Sequence, residues 1–189
     1  KRIDSTIVVT TAGPSGGALW LKPASGEFAK SANAPAKKLW GVVKKGSEFL
    51  LATSGGLFAA SDLTGMWVKR TRVETGTPFV GKVSRLVAGA GQLRMFAAGD
   101  STASTGGLFY SDDTGINWAA SSVKGNVRAL EADGTAVLLE TSVDGQQRSD
   151  NYGNTFKPMT VGGGVSGFAF GASLVFAATD AGVQTSADL

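Results

Sequence analysis

One short pattern recurs along this chain at a spacing near forty residues, and that recurrence restricts the fold more than any other feature. Ser111-Asp112-Asp113-Thr114-Gly115-Ile116-Asn117-Trp118 reads S-x-D-x-G-x-x-W, and Ser149-Asp150-Asn151-Tyr152-Gly153-Asn154-Thr155-Phe156 reads S-x-N-x-G-x-T-F. Ser61-Asp62-Leu63-Thr64-Gly65-Met66-Trp67 is a version one residue shorter. The stretch from Lys22 to Phe28 is a degenerate copy of that shorter form, and Ser186-Ala187-Asp188 begins another copy. The starts at 22, 61, 111, 149 and 186 lie 39, 50, 38 and 37 residues apart. A repeat of about forty residues suits a four-stranded propeller blade and exceeds one coil of a typical β-helix.

The text around each copy repeats as well. An apolar run lies upstream of each: Ile7-Val8-Val9, Phe49-Leu50-Leu51-Ala52, Met95-Phe96-Ala97-Ala98, Val137-Leu138-Leu139 and Leu174-Val175-Phe176-Ala177-Ala178. A polar or Gly-rich loop follows, then in three copies a Gly-aliphatic-aromatic strand such as Gly107-Leu108-Phe109-Tyr110. The order expected within a unit is strand A, strand B, loop, strand C, motif turn, strand D. The units run approximately 1–36, 39–76, 83–122, 127–161 and 165–189, within a single domain covering 1–189. The first lacks an obvious strand A and the last lacks strand D. Strand B is apolar at successive positions, as a strand buried on both faces must be. Stacking such sheets radially covers each face with the next sheet and limits exposed edges. The expected fold class is therefore all-β, a β-propeller of four-stranded antiparallel blades with about five units. The chain opens at Lys1 and stops inside a copy of the motif. A continuing polypeptide and a ring of six or seven blades are expected.

The motif residues suit a tight hairpin between strands C and D. A carboxylate or amide oxygen can accept from nearby backbone N–H groups, a serine hydroxyl can do the same, glycine admits positive φ, and the aromatic ring supplies an apolar plug. In this pattern the chain resembles the Asp-box, or bacterial neuraminidase repeat, family. The Ser111 copy matches the key positions in full, the Ser149 copy has Asn151 in place of Asp, and the Ser61 copy has Leu63 there, with Asp62 displaced by one. The resemblance implies a structural role on the periphery for Ser61, Gly65, Trp67, Ser111, Asp113, Gly115, Trp118, Ser149, Asn151, Gly153, Phe156, Ser186 and Asp188.

Composition excludes several chemistries. With no Cys and no His, disulfides, thiolate catalysis, His acid–base catalysis and His or Cys metal sites are ruled out, and no metal or cofactor is expected. No apolar run is long enough to span a membrane as a helix. Gly162-Gly163-Gly164-Val165-Ser166-Gly167 matches G-x-G-x-x-G, but a strand, not a helix, is expected after it, so it reads as a flexible loop between blades. The resemblance also raises glycoside hydrolysis, which usually needs two carboxylates flanking the bond. Glu27, Glu48, Glu74, Glu131 and Glu140 stand in no recognisable catalytic setting, and Arg2-Ile3-Asp4 lacks the proline of an Arg-Ile-Pro entry motif. Tyr110 and Tyr152 read as packing residues beside the motif turns.

Residues 1–94 hold 14 Lys/Arg and 5 Asp/Glu, a net of +9, whereas residues 95–189 hold 4 and 10, a net of −6. Such a split can steer an acidic partner or a neighbouring copy. Basic residues are not interleaved with aromatics as in nucleic-acid binders, so no nucleic-acid partner is expected. The long stretches 70–79 and 99–106 account for the one spacing of 50, and insertions on a rigid scaffold often carry function. Arg70, Arg72, Phe79 and Asp100 are the candidate binding residues there. The expectation is a non-catalytic module binding a protein, neighbouring subunits or a glycan, with extracytoplasmic or virion-associated placement favoured. The alternative is a fragment of a sialidase-like or other glycoside hydrolase.

Overall fold

A computed structural model describes residues 1–70, 81–89, 94–99 and 107–187. These residues form nineteen β-strands and no helix, in five antiparallel sheets. Blade 1 is β1 (Arg2–Ile3), β2 (Thr6–Thr10), β3 (Leu19–Lys22) and β4 (Ala29–Lys30). Blade 2 is β5 (Leu39–Lys45), β6 (Glu48–Thr53), β7 (Gly56–Ala60) and β8 (Val68–Lys69). Blade 3 is β9 (Val83–Ala88), β10 (Met95–Gly99), β11 (Leu108–Ser111) and β12 (Ala119–Ala120). Blade 4 is β13 (Val127–Asp133), β14 (Ala136–Thr141), β15 (Gly145–Ser149) and β16 (Lys157–Pro158). Blade 5 is β17 (Val165–Phe170), β18 (Val175–Thr179) and β19 (Gly182–Ser186). Each strand pairs with its sequence neighbour, and successive blades pack through their inner strands, as in a five-bladed β-propeller.

The expected order of strands holds, with one correction. Blade 1 does have an inner strand, β1, whose Arg2 and Ile3 pair with Ile7 and Thr6 across a turn where Asp4 has φ 52°. Two residues are too short to produce a readable hydrophobic period. Blade 5 has no fourth strand among the described residues.

Strands β6 and β14 are buried along nearly their whole length, because each lies between two neighbouring blades. Alternate side chains serve opposite faces. In blade 2, Phe49 and Leu51 join the core shared with blade 1, whereas Leu50 and Ala52 join the core shared with blade 3. Two further cores lie between blades 3 and 4 and between blades 4 and 5. The apolar interior is thus four slabs between five blades.

The repeated motif closes the C–D turn as its chemistry suggests. Asp113 Oδ1 accepts from the N–H groups of Ile116 (3.1 Å) and Asn117 (2.8 Å), and Ser111 Oγ donates to the same oxygen (2.8 Å) while accepting from Gly115 N–H (2.9 Å). The Ser149 turn repeats this clasp, with Asn151 Oδ1 accepting from Thr155 N–H (3.0 Å) and Ser149 Oγ (2.9 Å). In both, two successive residues are left-handed: Thr114 and Gly115 at φ 61° and 82°, Tyr152 and Gly153 at φ 61° and 73°. A Cβ on Gly153 would meet the ring of Phe96 in the preceding blade at 2.4 Å, so glycine is required twice over. In the shorter Ser61 turn, Asp62 does substitute for the missing acid, accepting from Thr64 N–H (2.8 Å) and Thr64 Oγ1 (2.7 Å).

The ring of each clasp plugs the interface with the preceding blade: Trp67 against blade 1, Trp118 against blade 2 and Phe156 against blade 3. Trp118 Nε1 donates to Gly115 O (3.1 Å), but the buried Trp67 Nε1 has no acceptor.

Two outcomes follow. Burial raises the Asp113 carboxyl, but hydrogen bonds from Asn117, Ser111 and Ile116 outweigh it and hold it below the usual carboxylate range. Its stabilisation is complete above the unfolded carboxylate pKa and is lost as pH falls through the lower folded value. Asp113→Asn, which copies Asn151, will flatten this acid-side slope in denaturant titrations between about pH 2 and pH 5, while Asp113→Ala will lose about 1–3 kcal/mol at pH 7. Trp118→Phe will lower the melting temperature, and Trp67→Phe, which removes an unsatisfied buried donor, will leave it unchanged or raise it.

Candidate functional site

Because the strands alternate in direction, the A–B and C–D turns share one end of the propeller, here the clasp face. The B–C turns and D–A connections share the other, the loop face. The candidate binding residues divide sharply. Arg72, Phe79 and Asp100 lie outside the described residues, as does Asp188 of the fifth motif copy. Arg70 is half-buried and engaged, with Nη2 2.5 Å from Glu48 Oε2 and its N–H donating to Leu57 O at 2.8 Å.

The loop face has its own repeated device, a threonine closing the B–C turn. Thr53 Oγ1 donates to Gly56 O (2.8 Å) and accepts from Gly55 N–H (3.0 Å). Thr179 does the same with Gly182 O (2.7 Å) and Ala181 N–H (3.1 Å), and Thr141 Oγ1 accepts from Asp144 N–H (2.9 Å). The next side chain fastens the entry to the inner strand: Ser54 Oγ accepts from Lys38 N–H, Ser142 Oγ from Asn126 N–H, and Asp180 Oδ1 from Gly164 N–H. The sequence does carry this signal, as Thr53-Ser54, Thr141-Ser142 and Thr179-Asp180, each followed by Gly two or three residues on. A Thr-Ser pair is common in any sequence, and only its register gives it meaning.

The Gly162–Gly164 connection is fastened, contrary to the expectation of a flexible loop. Gln184 clamps Gly162 through both its amide atoms (3.2 and 2.6 Å), and Gln146 Nε2 donates to Gly163 O (2.7 Å). A Cβ on Gly163 would lie 2.1 Å from Asp180 Oδ1, so the glycine is there to let the carboxylate approach. These partners come from strands of blades 4 and 5, which local sequence cannot reveal.

Beside this clamp lies the most unusual residue of the face. Register places Glu140 where blades 2, 3 and 5 have Ala52, Ala98 and Ala178. Glu140 is buried; Oε2 accepts from Val165 N–H (2.5 Å) and Gln146 Nε2 (3.4 Å), and Oε1 is 3.7 Å from Arg128 Nη1. A carboxylate replaces a methyl group because it ties the first residue of β17 to blade 4. A second inward-set acid, Glu131 of β13, is half-buried, and desolvation raises its carboxyl above the usual range.

The A–B pairs of blades 2 to 5 all have a bulge near the loop-face end of the inner strand. A bulge re-aims the side chains beside it. There Arg85 donates to Arg128 O (2.6 Å) and Ser84 O (2.9 Å), both carbonyls. Arg128 is largely exposed. Lys37 and Lys38 precede β5, Lys82 precedes β9 and Lys124 lies before β13. Against these six cations the described loop face sets Asp144, Asp180 and the buried Glu140. Each of these acids accepts from a backbone N–H of a D–A connection or strand start: Asp144 from Lys124, Asp180 from Gly164, Glu140 from Val165. Among the described residues, no group of three or more His, Cys, Asp or Glu gathers to hold a metal, and no helix is long and apolar enough to cross a membrane.

The clasp face carries close ion pairs. Lys44 meets Asp4 at 2.6 Å. Arg94 binds Asp112 through two nitrogens (2.7 and 2.8 Å), reaches into blade 4 to Tyr152 O (3.1 Å) and Asn154 Oδ1 (2.6 Å), and lies 4.3 Å from the Tyr110 ring centre. Asp112 holds the Arg94 guanidinium above its ordinary pKa, and Arg94 holds the Asp112 carboxyl below its own. This fastener between clasps was not singled out from sequence, since its partners lie 18 to 60 residues away.

No protein-family model matches this sequence, and no curated protein matches it. Solved structures do match, at low identity. The chain is similar to a computationally designed protein, Ika8, at 11% identity and a TM-score of 0.62, over 98% of this chain and 56% of that one. It is similar to a GH74 xyloglucanase from Xanthomonas campestris at 13% identity and a TM-score of 0.62, over 96% of this chain and 34% of that one. A chain of a nidogen/laminin complex matches at 14% identity and a TM-score of 0.68, over 96% of this chain and 73% of that one. The chain thus spans about half of the designed protein and a third of the enzyme. At these identities the likeness is one of fold.

Glu140→Ala, although it restores the residue found in blades 2, 3 and 5, will destabilise the protein by about 1–3 kcal/mol by leaving Val165 N–H buried and unpaired. Glu140→Gln, which retains an acceptor, will lose less; equilibrium urea unfolding measures both.

Proposed function

We propose that this chain is a non-catalytic propeller of the Asp-box type that serves as a binding or assembly module, taking an anionic partner, a protein segment or an acidic glycan, on its loop face. The observation that carries this reading is the imbalance at that face. Lys37, Lys38, Arg85, Lys124 and Arg128 lie at strand starts on that face, while Asp144, Asp180 and Glu140 each accept from a backbone N–H, Glu140 also lying 3.7 Å from Arg128. An excess of cations over acids among the described residues there favours approach of negative charge, and screening by salt opposes it.

The same commitment of carboxylates weighs against glycoside hydrolysis. That reaction needs one acid to protonate the leaving oxygen and a second carboxylate as nucleophile or base, both facing the sugar. Asp144, Asp180 and Glu140 face backbone amides instead. The likeness to a xyloglucanase is one of fold alone.

The purified chain will be retained on immobilised poly-glutamate at low ionic strength and elute as salt rises, and Arg85→Glu/Arg128→Glu will elute at markedly lower salt. Equal elution of the two proteins removes the loop-face reading. Turnover of fluorogenic β-glucosides or sialosides by the chain would remove the non-catalytic one.

A further inference from the structure

The bulge in each inner strand of blades 2 to 5 inserts one residue that has no partner on the neighbouring strand. Register makes these residues counterparts: Trp40 in blade 2, Ser84 in blade 3, Arg128 in blade 4 and Ser166 in blade 5. Inner strands stand nearest the propeller axis, and the bulges lie toward their loop-face ends. The four residues therefore form an arc around the loop-face mouth of the axis. Neighbouring blades touch along this arc. A Cβ on Gly41, beside Trp40, would lie 3.8 Å from Leu86 O of blade 3, and Arg85, beside Ser84, reaches Arg128 O of blade 4 at 2.6 Å.

The arc carries three kinds of group. Ser84 Oγ donates to Ala98 O (3.3 Å) and Ser166 Oγ to Ala178 O (3.1 Å). Each hydroxyl has thereby given its one proton, and its oxygen keeps the capacity to accept. Trp40 supplies an aromatic surface. It is half-buried and joins none of the four apolar cores, so its ring does not serve the packing between blades as those of Trp67 and Trp118 do. Arg85 and Arg128 supply guanidinium groups. The two carbonyls that Arg85 bonds, Ser84 O and Arg128 O, use two of its five N–H groups and fix the plane in which the rest are offered. Arg128 is largely exposed, with Glu140 Oε1 at 3.7 Å.

We propose that this arc binds a short hexuronate segment of an acidic glycan, with a sugar ring face on Trp40, carboxylates on Arg85 and Arg128, and hydroxyls donating to Ser84 and Ser166. The inference rests on the loop-face reading and narrows its ligand. An acidic peptide uses the two cations and leaves the serine acceptors idle. A neutral sugar leaves the cations idle. A carboxylated sugar engages all three kinds of group, and planar guanidinium groups match carboxylates in geometry as well as charge.

The test is calorimetric titration of the purified chain with trigalacturonate and with neutral cellotriose, read beside tryptophan fluorescence. Trigalacturonate will bind and change the emission, and cellotriose will bind much more weakly. Trp40→Ala and Arg85→Gln will each weaken trigalacturonate about tenfold or more, as truncation of a binding anchor does. Trp40→Phe, which keeps a ring, will lose less affinity and will abolish the emission change while the other three tryptophans remain. Trp40→Ala will elute from poly-glutamate at the same salt as the wild-type chain. Melting curves identify the folded variants, and Trp40→Phe and Arg85→Gln carry the test if Trp40→Ala does not fold. No binding of trigalacturonate at about 1 mM overturns the proposal. So does equal affinity for cellotriose, or affinity unchanged in a folded Trp40→Ala or Arg85→Gln. A chain that holds poly-glutamate but not trigalacturonate keeps the loop-face reading and removes this one; a chain that holds neither removes both.

Discussion

Each inner blade of this propeller is apolar on both faces, so its stability depends on having a neighbour. Fully burying a Leu, Val or Phe side chain is worth about 1.5–3 kcal/mol. Strand β6 places Phe49 and Leu51 to one side and Leu50 and Ala52 to the other. Isolated, a sheet of this kind would leave half of that surface in water. Everything else in the structure refines this packing. The clasps set where strand D begins and drive a ring into the seam with the preceding blade. The threonine turns fix where strand C begins, and the serine or aspartate beside each threonine sets the entry of strand A. Pinning each strand start in turn keeps register, and a slip of one residue would exchange the two faces.

How far the sequence could be read follows from the range of each interaction. The period, the B strands and the clasp turns are local, and Ser111, Asp113, Gly115 and Trp118 fall into the expected turn with the expected roles. The displaced Asp62 of the shorter copy is also local, and it does take over the missing acceptor role. The interactions between blades are different. Arg94 gathers Asp112, Tyr152 and Asn154 from two blades, and Gly162 is held by Gln184 from 22 residues away. Nothing in the neighbourhood of Arg94 distinguishes it from an exposed arginine until the blades are placed. The inner strand of blade 1 escaped notice for a different reason: Arg2 and Ile3 are ordered by pairing with β2, not by any propensity of their own.

Glu140 shows how a repeat is specialised without being broken. At its register blades 2, 3 and 5 have alanine, and the fold requires nothing larger there. Its carboxylate adds a directed bond to Val165 and brings Arg128 to its rim. The neighbouring Arg85 donates to the carbonyls of Ser84 and Arg128, so positive charge gathers at that rim. The scaffold is set by residues that recur, and surface character by those that depart from the repeat. A search for function in such a chain is best aimed at these departures.

The four separate slabs of core have a consequence for how the molecule comes apart. Since the large contacts run between consecutive blades, the energetics approach those of a linear array of coupled units, with intrinsic terms and nearest-neighbour terms. Blades 2, 3 and 4 each take part in two such couplings, so loosening one slab leaves the other in place. Opening can then be confined to a single seam, and amide exchange will be graded along the array instead of occurring all at once. A substitution in one slab will accordingly weigh on its two flanking blades and little on the rest.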